Sequence, residues 1–287
     1  LMRHAQIGCH IHFQNSLVDG VLESDISAAH FAGEMRTLKA HNFLWVFLNS
    51  IRPSSEIISD DFYIIPEVPT FENYFELADS DFPNYIKNSL MVSLPATFLS
   101  VLLSLLAAYS FSRRRFRFRY ALLILVVFSQ LFPFIILTTP VYLIFYQMGL
   151  VNSHLGLIIT YTAISIPFSV YMLLGYLDSV PRELDEAAII DGSTTLGVIF
   201  RVILPVAWPG IAATAIYSFV RSWNDYLFAV TLNPNNDLRT VPVGLANFFG
   251  QYTTDWGLVM TASVLATLPT LIIFFLLQRQ LVAGLAA

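Results

Sequence analysis

The sequence predicts an all-α fold, a polytopic membrane bundle of about six spanning helices. The chain has 287 residues, of which 56% are hydrophobic, and its mean hydropathy is +0.64. Only 12% of the residues are charged, whereas about a quarter are charged in a typical soluble domain. Long stretches without charge alternate with short charged segments, which is typical of helices that cross a lipid bilayer.

Five stretches are long and apolar enough to cross the bilayer, which takes about 20 residues per helix. The two longest stretches without charge lie between Lys87 and Arg113 and between Arg119 and Asp178. The second of these has room for two helices, and Gly149 lies in the turn between them. The predicted spans are 89–111, 120–147, 155–177, 206–230 and 256–278.

The first 41 residues differ in composition from the rest of the chain. They contain five of the six histidines and the single cysteine, Cys9. Residues 17–31 have the spacing of an amphipathic helix at a membrane surface, and a divergent extension or a misplaced start are alternative interpretations. Residues 40–51 are too short for a span, so a sixth span here requires charged residues to enter the membrane. We divide the chain into an atypical N-terminal segment, 1–41, and a membrane domain, 42–287.

Basic residues predict the orientation of the spans, because loops rich in arginine and lysine stay on the cytoplasmic side. Five arginines lie between residues 113 and 119, directly after the first clear span. Arg182 and Arg201 lie two spans later, on the same side. Segment 52–88, on the opposite side, has eight acidic and two basic residues. Loop 178–205 is therefore predicted to be cytoplasmic.

Composition argues against several classes of function. A net charge of −5 argues against a nucleic-acid-binding surface. The two lysines, Lys39 and Lys87, lie outside any GxxxxGK[ST] loop, so the chain has no phosphate loop of that type for hydrolysing ATP. His154 is the one histidine after residue 41, and no HExxH motif occurs, which argues against an intramembrane enzyme. We expect neither catalytic residues nor a metal site.

Loop 178–205 contains the pattern that says most about function. Residues 182–191 are compatible with a short helix, with Ser179 as its predicted N-cap. Gly192 ends this helix, since glycine readily adopts the left-handed conformation of a helix stop. Ser193 is predicted to cap the helix that follows.

The short helix combines small side chains with acidic ones. Ala187 and Ala188 let another surface approach closely, and Glu183, Asp185 and Glu186 suit a basic cleft or a salt bridge at its rim. An ordinary surface helix that ends in glycine is the alternative interpretation.

The full spacing of this loop resembles the EAA signature of the permease subunits of bacterial ABC importers, EAA-x3-G-x9-I-x-LP. One position differs, where valine replaces isoleucine. The matching residues are Glu186-Ala187-Ala188, Gly192, Val202, Leu204 and Pro205.

Further motifs resemble the carbohydrate branch of these permeases, and the last of them resembles the end of the maltose-type second permease. The resemblance covers residues 43–287. The motifs are Pro69-Thr70-x-Glu72-Asn73-Tyr74, Asn88-Ser89-Leu90, Trp223-Asn224-Asp225 and Gln278-Arg279-x-Leu281-Val282-x-Gly284-Leu285.

The resemblance implies the fold of a type I ABC importer permease for a carbohydrate, with 178–205 as the coupling loop. Its short helix would dock in a groove of a separate ATPase dimer, which binds ATP and magnesium, while this chain binds no cofactor. The other implied partners are a second, different permease, an extracytoplasmic solute-binding protein and lipid of the bacterial cytoplasmic (inner) membrane. The residues implied to couple to the ATPase are Glu183, Glu186, Ala187, Ala188, Asp191 and Gly192.

Polar residues inside spans are candidates for the solute path, because burying them in lipid is costly. Arg221 and Asp225 lie four residues apart in one predicted helix and could neutralise each other. If Arg221 instead faces the path, it favours an anionic solute such as an acidic oligosaccharide. Asn88 and Asn224 are the other two candidates.

A stand-alone channel or an ion-coupled secondary carrier is the alternative function. Such proteins typically have several ionisable residues within their spans, or an internal repeat. Here the predicted spans contain one Arg–Asp pair and no clear repeat. The spacing of the loop signature therefore favours the importer subunit.

Overall fold

The computed structural model describes residues 43–57, 66, 68–249 and 254–285. The atypical N-terminal segment, 1–41, and its predicted interfacial helix lie outside the described residues. The helices are α1 (43–50), α2 (Glu72–Asp79), α3 (Phe82–Arg113), α4 (Arg119–Phe128), α5 (Phe134–Gln147), α6 (His154–Ser179), α7 (Glu183–Ile190), α8 (Trp208–Trp223), α9 (Leu227–Leu232), α10 (Val241–Ala246) and α11 (Trp256–Leu285). Shorter helical turns lie at Ser54–Ile57, Ser129–Leu131, Thr195–Val206 and Asn236–Leu238.

Three helices within the described part of the chain are long and apolar enough to cross a membrane, namely α3, α6 and α11. Two bent pairs, α4 with α5 and Thr195–Val206 with α8, each count as one further span if the two halves cross together. The all-helical, polytopic prediction is confirmed. The sixth predicted span is described only from residue 43 onward, where α1 contributes two turns.

The predicted span 120–147 is not one helix. Pro133 separates α4 from α5, and the two axes differ by 100°. Proline has no backbone N–H and disfavours the helical conformation of the residue before it. Phe132 is accordingly extended, with φ −77° and ψ 128°, and the helix ends there.

The predicted span 206–230 is also interrupted. Helix α8 begins at Trp208, follows the preceding turn at an angle of 85°, and ends at Trp223. Asp225 lies beyond that end, where its Oδ2 accepts hydrogen bonds from the amides of Phe228 (2.9 Å) and Ala229 (3.3 Å) in α9. A side chain that accepts bonds from the first amides of a helix stabilises a new helix start, so one apolar stretch forms two helices.

The centre of the bundle is the contact of α3 with α6 and α8. Ser100, Ser169 and Ser218, one from each helix, are at most 1% exposed. Their hydroxyl oxygens lie 3.1–3.4 Å apart and form a closed set of hydrogen bonds. Small side chains let helix backbones approach closely in a membrane, and hydroxyls bond across the interface.

Helices α1 and α2 pack against the bundle near the start of α11. The Ser50 hydroxyl lies 2.7 Å from the Tyr74 hydroxyl, and the Ser50 carbonyl accepts a hydrogen bond from Thr261 in α11 (3.2 Å). Asn73 in α2 donates to the carbonyl of Arg52 at 2.9 Å. The end of α1 is therefore held by polar contacts inside the protein.

We predict that Gly244→Ala destabilises the outer end of the bundle. A Cβ at this position in α10 would overlap the ring of Tyr85 in α3, which is itself 5% exposed. Overpacking of this kind costs about 1–3 kcal/mol. The thermal unfolding midpoint of the detergent-purified chain measures it. Gly175→Ala in α6 is the control, since nothing lies within 4 Å of its Cβ position, and an unchanged midpoint in Gly244→Ala would contradict the prediction.

Candidate functional site

Helix α7 lies at the end of the bundle that is predicted to be cytoplasmic, where a buried ion pair attaches it to α3. Arg113 Nε lies 2.7 Å from Asp185 Oδ2, and both side chains are 8% exposed. The Tyr109 hydroxyl faces the same carboxylate from one turn earlier in α3. The pair joins the last turn of a 32-residue membrane helix to the short helix of the loop.

The same arginine also binds the end of α6. Arg113 Nη1 donates to the carbonyl of Leu177 (3.2 Å), and Nη2 donates to that of Val180 (3.0 Å). Nearby, Arg182 donates to the Ser112 carbonyl at 2.8 Å. One guanidinium therefore holds α3, α6 and α7 together.

Sequence reasoning missed both members of this pair. The sequence predicts that Asp185 faces a basic cleft or forms a salt bridge at its rim, and the structure instead places it 6% exposed, in an ion pair with Arg113 inside the chain. In the sequence, Arg113 indicates only which side of the membrane the loop lies on. A usable signal was the spacing of Asp185 and Ala188, which share a helix face at i and i+3; these are the two buried residues of α7.

The other predicted coupling residues divide between two faces of the loop. Ala188 is 9% exposed and packs in a cluster with Val198, Ile199 and Ile203. The exposed ones are Glu183, Glu186, Ala187, Asp191 and Gly192. The structure thus brings five of the six candidates to one accessible surface.

Gly192 ends α7 as the sequence predicts. Its φ of +86° is in the left-handed region, and its amide donates to the Ile189 carbonyl at 3.0 Å.

The two serines predicted as helix caps do not cap the helices in the structure. Ser179 is the last residue of α6, where its hydroxyl donates to the Tyr176 carbonyl. Thr194, one residue after the predicted Ser193, caps the next turn by accepting from the Gly197 amide at 3.2 Å.

Apolar side chains lie exposed among the acids of this loop. Ile190 is 85% exposed and Leu196 is 59% exposed, with Leu184 and Phe200 less so. Large apolar side chains that cluster on a surface with charged residues around them mark an interaction site. The outer surface of the loop is therefore suited to contact another protein.

The four predicted solute-path residues lie in two different environments. Asn88 is 3% exposed, and its amide nitrogen donates to the carbonyls of Asp237 (2.8 Å) and Arg239 (3.0 Å). Its oxygen lies 3.1 Å from His154 Nε2. In this structure Asn88 attaches the outer loop to α3 and does not line open space.

Arg221 and Asp225 do approach each other, but loosely. Arg221 Nη1 lies 3.7 Å from Asp225 Oδ1, with the side chains 33% and 7% exposed. Tyr161 donates to the other oxygen of Asp225, in addition to the two amides of α9. Asn224 is exposed at the end of α8 and bonds back to the Val220 carbonyl. Arg221 and Asn224 are the accessible members of the four.

These features describe a membrane-type helical bundle with a loop helix fixed to its inner side and exposed on its outer side, an arrangement expected of the membrane component of a multi-subunit transporter. Residues 100–286 match the family described as the binding-protein-dependent transport system inner membrane component, and the chain belongs to this family. It is a transport subunit of the inner membrane.

Named relatives cover most of the chain. The sulfoquinovosyl glycerol transport system permease protein of Agrobacterium fabrum is 34% identical over 85% of this chain and 86% of that protein. The trehalose/maltose transport system permease protein of Thermococcus litoralis is 34% identical over 85% and 89%. A solved bacterial ABC transporter involved in the import of the acidic polysaccharide alginate has the same fold, with a TM-score of 0.75 at 19% identity over 92% of this chain and 97% of that chain.

We predict that Asp185→Asn strongly destabilises the loop, because it leaves the Arg113 charge buried without a counter-ion. Removing one member of a buried pair costs about 3–5 kcal/mol. Thermal unfolding and limited proteolysis within 178–205 report the loss. Asp191→Asn removes an exposed carboxylate nearby and should leave both readouts unchanged. The double variant Arg113→Met/Asp185→Leu should recover part of the stability; equal stability of Asp185→Asn and wild type would show that the pair contributes nothing.

Proposed function

We propose that the chain is the membrane permease subunit of an ATP-driven importer for a carbohydrate, and that loop 178–205 couples it to a partner ATPase. Support for the carbohydrate comes from relatives whose names specify sugar uptake, such as the permease of Thermococcus litoralis for trehalose and maltose and a diacetylchitobiose uptake permease of Streptomyces coelicolor. The alignments cover 89% and 88% of those two proteins, respectively.

The observation that carries the proposal is the attachment of α7 to two membrane helices at once. Arg113 contacts Asp185 in α7 and the carbonyls of Leu177 and Val180 at the end of α6. A force on α7 therefore acts directly on α3 and α6. Packed helices move as rigid bodies rather than deform continuously, so displacement of the loop is transmitted to the bundle.

The exposed face of the loop supports a protein groove as its partner. Glu183, Glu186 and Asp191 supply negative charge, and Leu184 and Ile190 supply apolar area at the same surface. A groove with an apolar floor and basic rim is complementary to that combination. In the proposal this groove belongs to an ATPase dimer, which also binds the ATP and magnesium, and this chain binds no cofactor.

Two further partners follow from the remaining surfaces. The described residues of α4 and α5 include none that is buried, so these helices face lipid and a second permease subunit, which we propose to be a different chain. The outer loop folds over the end of α3, where Asn236 donates to Asp81 and accepts from Tyr85. We propose that an extracytoplasmic solute-binding protein docks at this end.

We predict that Gly192→Asp blocks transport while the chain still inserts. The added carboxylate projects from the docking surface into space that is free in this chain, since nothing lies within 4 Å of the Cβ position. ATP-dependent sugar uptake by the assembled transporter should fall by about tenfold or more, because the added carboxylate keeps the partner from closing on the centre of the interface.

Gly149→Asp is the matched control. Gly149 has φ +68° and equally open space around its Cβ position, but it lies at the opposite end of the bundle. It therefore reproduces the backbone strain without touching the loop. Equal losses in both variants, with the solute-binding protein still recovered with Gly149→Asp, would assign the defect to strain. Normal uptake by Gly192→Asp would refute coupling through this surface.

We also predict that gentle purification of the tagged chain from its native membrane recovers an ATPase, a second permease and a solute-binding protein. Mass spectrometry of the purified material identifies them. The Gly192→Asp variant should lose the ATPase and keep the second permease. Recovery of the chain alone, with its loop intact, would instead favour the stand-alone channel or ion-coupled carrier.

A further inference from the structure

Helix α8 has one accessible face that carries polar and aromatic side chains. Tyr217, Arg221 and Asn224 lie at i, i+4 and i+7, which places them on one side of the helix. The opposite side is buried against α3 and α11 and includes Ser218 and Ser222. We call the set Tyr217, Arg221 and Asn224 the α8 polar face.

No group in the described part of the chain accepts a hydrogen bond from the Arg221 guanidinium. Its distance of 3.7 Å from Asp225 exceeds that of a hydrogen bond, and the side chain is 33% exposed. Among the described residues the guanidinium makes no hydrogen bond, whereas Asp225 is satisfied by Tyr161 and two amides of α9. The carboxylate is therefore stabilised without the arginine, and the arginine donors remain available.

Arg221 lies near the end of α8, as the fourteenth of its sixteen residues. An arginine in a membrane protein is typically paired or faces a water-filled path. Asp225, at 3.7 Å, and the Phe134 ring lie beside it without accepting a hydrogen bond, so its donors are available to a ligand.

One aromatic ring contacts the guanidinium, and two more lie close to it. Its Cζ lies 5.2 Å from the centre of the Phe134 ring, a cation–π geometry. The rings of Tyr217 and Phe168 lie 4.3 Å apart, one turn below Arg221. Within the described part of the chain the Tyr217 hydroxyl has no hydrogen-bond partner, so a polar ligand or water must satisfy it.

A cavity of about 330 Å³ lies between α5 and α6, and Phe134, which contacts the guanidinium, is part of its lining. The rest of that lining is mostly apolar and includes none of Tyr217, Arg221, Asn224 and Phe168. The space for a sugar is therefore the exposed side of the α8 polar face, where Arg221 is 33% exposed and Asn224 is exposed.

We propose that the α8 polar face, together with Phe134 and Phe168, is a subsite for an anionic sugar in the solute path. Arg221 binds the carboxylate or sulfonate of the sugar through charge-assisted hydrogen bonds. The rings of Tyr217 and Phe168 pack against the apolar face of a sugar ring, and the Tyr217 hydroxyl and Asn224 bond to sugar hydroxyls. This inference rests on the proposed importer function and names its substrate class.

The test uses the complete transporter, purified with its partners and reconstituted in proteoliposomes. The probes are radiolabelled disaccharides in matched pairs, each a uronate or 6-sulfonate with its neutral parent sugar. We expect ATP-dependent uptake of at least one acidic sugar. Arg221→Gln should lower that uptake by about tenfold or more, since it removes a charged hydrogen-bond donor, and Arg221→Lys should retain more of it than Arg221→Gln.

Further variants separate binding from folding. Tyr217→Ala should lower uptake even when Arg221 is intact, because the ring contact is lost for any sugar. Arg117→Gln removes the same charge from an exposed cytoplasmic position and should transport as wild type does. The amount of assembled complex is measured for each variant. If Arg221→Gln fails to assemble, the role of Arg221 in uptake is judged from Arg221→Lys instead.

Two results would overturn the subsite while the importer function stands. One is ATP-dependent import restricted to neutral sugars, and the other is wild-type uptake of the acidic sugar by Arg221→Gln. The absence of ATP-dependent uptake for every pair would overturn the proposed function together with the subsite.

Discussion

The ion pair between Arg113 and Asp185 is the interaction on which the cytoplasmic half of the molecule depends. It fixes the orientation of α7, and through the carbonyls of Leu177 and Val180 it also fixes the end of α6 relative to α3. Because the guanidinium has five donors in a planar arrangement, this one side chain of α3 can contact both α6 and α7. A lysine at this position has a single charged nitrogen and could not make the same set of contacts.

Burial of this pair has a physical consequence for the loop. Separating the two charges of a buried ion pair is costly, because each charge has lost its water shell. Helix α7 therefore either stays attached or detaches with a large loss of stability. The acidic residues on its other face, Glu183 and Glu186, remain exposed. The helix therefore has a rigid inner face and a free outer face, which is the requirement for passing movement from a partner to the bundle.

The second acid–base pair of the bundle shows the opposite arrangement. Asp225 begins α9 and is satisfied by backbone amides and Tyr161, so Arg221 is left with a neighbour at 3.7 Å and a partly exposed side chain. The two pairs consist of the same residue types. Their different roles follow from the main partner of each carboxylate, which is the Arg113 guanidinium in α3 for Asp185 and the amides of the following helix for Asp225.

The sequence by itself determined the helical class, the number of long apolar stretches, the helix stop at Gly192 and the loop spacing that identifies the family. All of these depend on residues close together in the chain, where hydrophobicity and backbone preference act locally. Only the tertiary structure decided that Asp185 is buried and that Asn88 bonds to carbonyls about 150 residues later. It also decided that α8 ends at Trp223. These features depend on which donors and acceptors, distant in the chain, come within about 3 Å when the helices pack. A local sequence pattern does not specify such contacts.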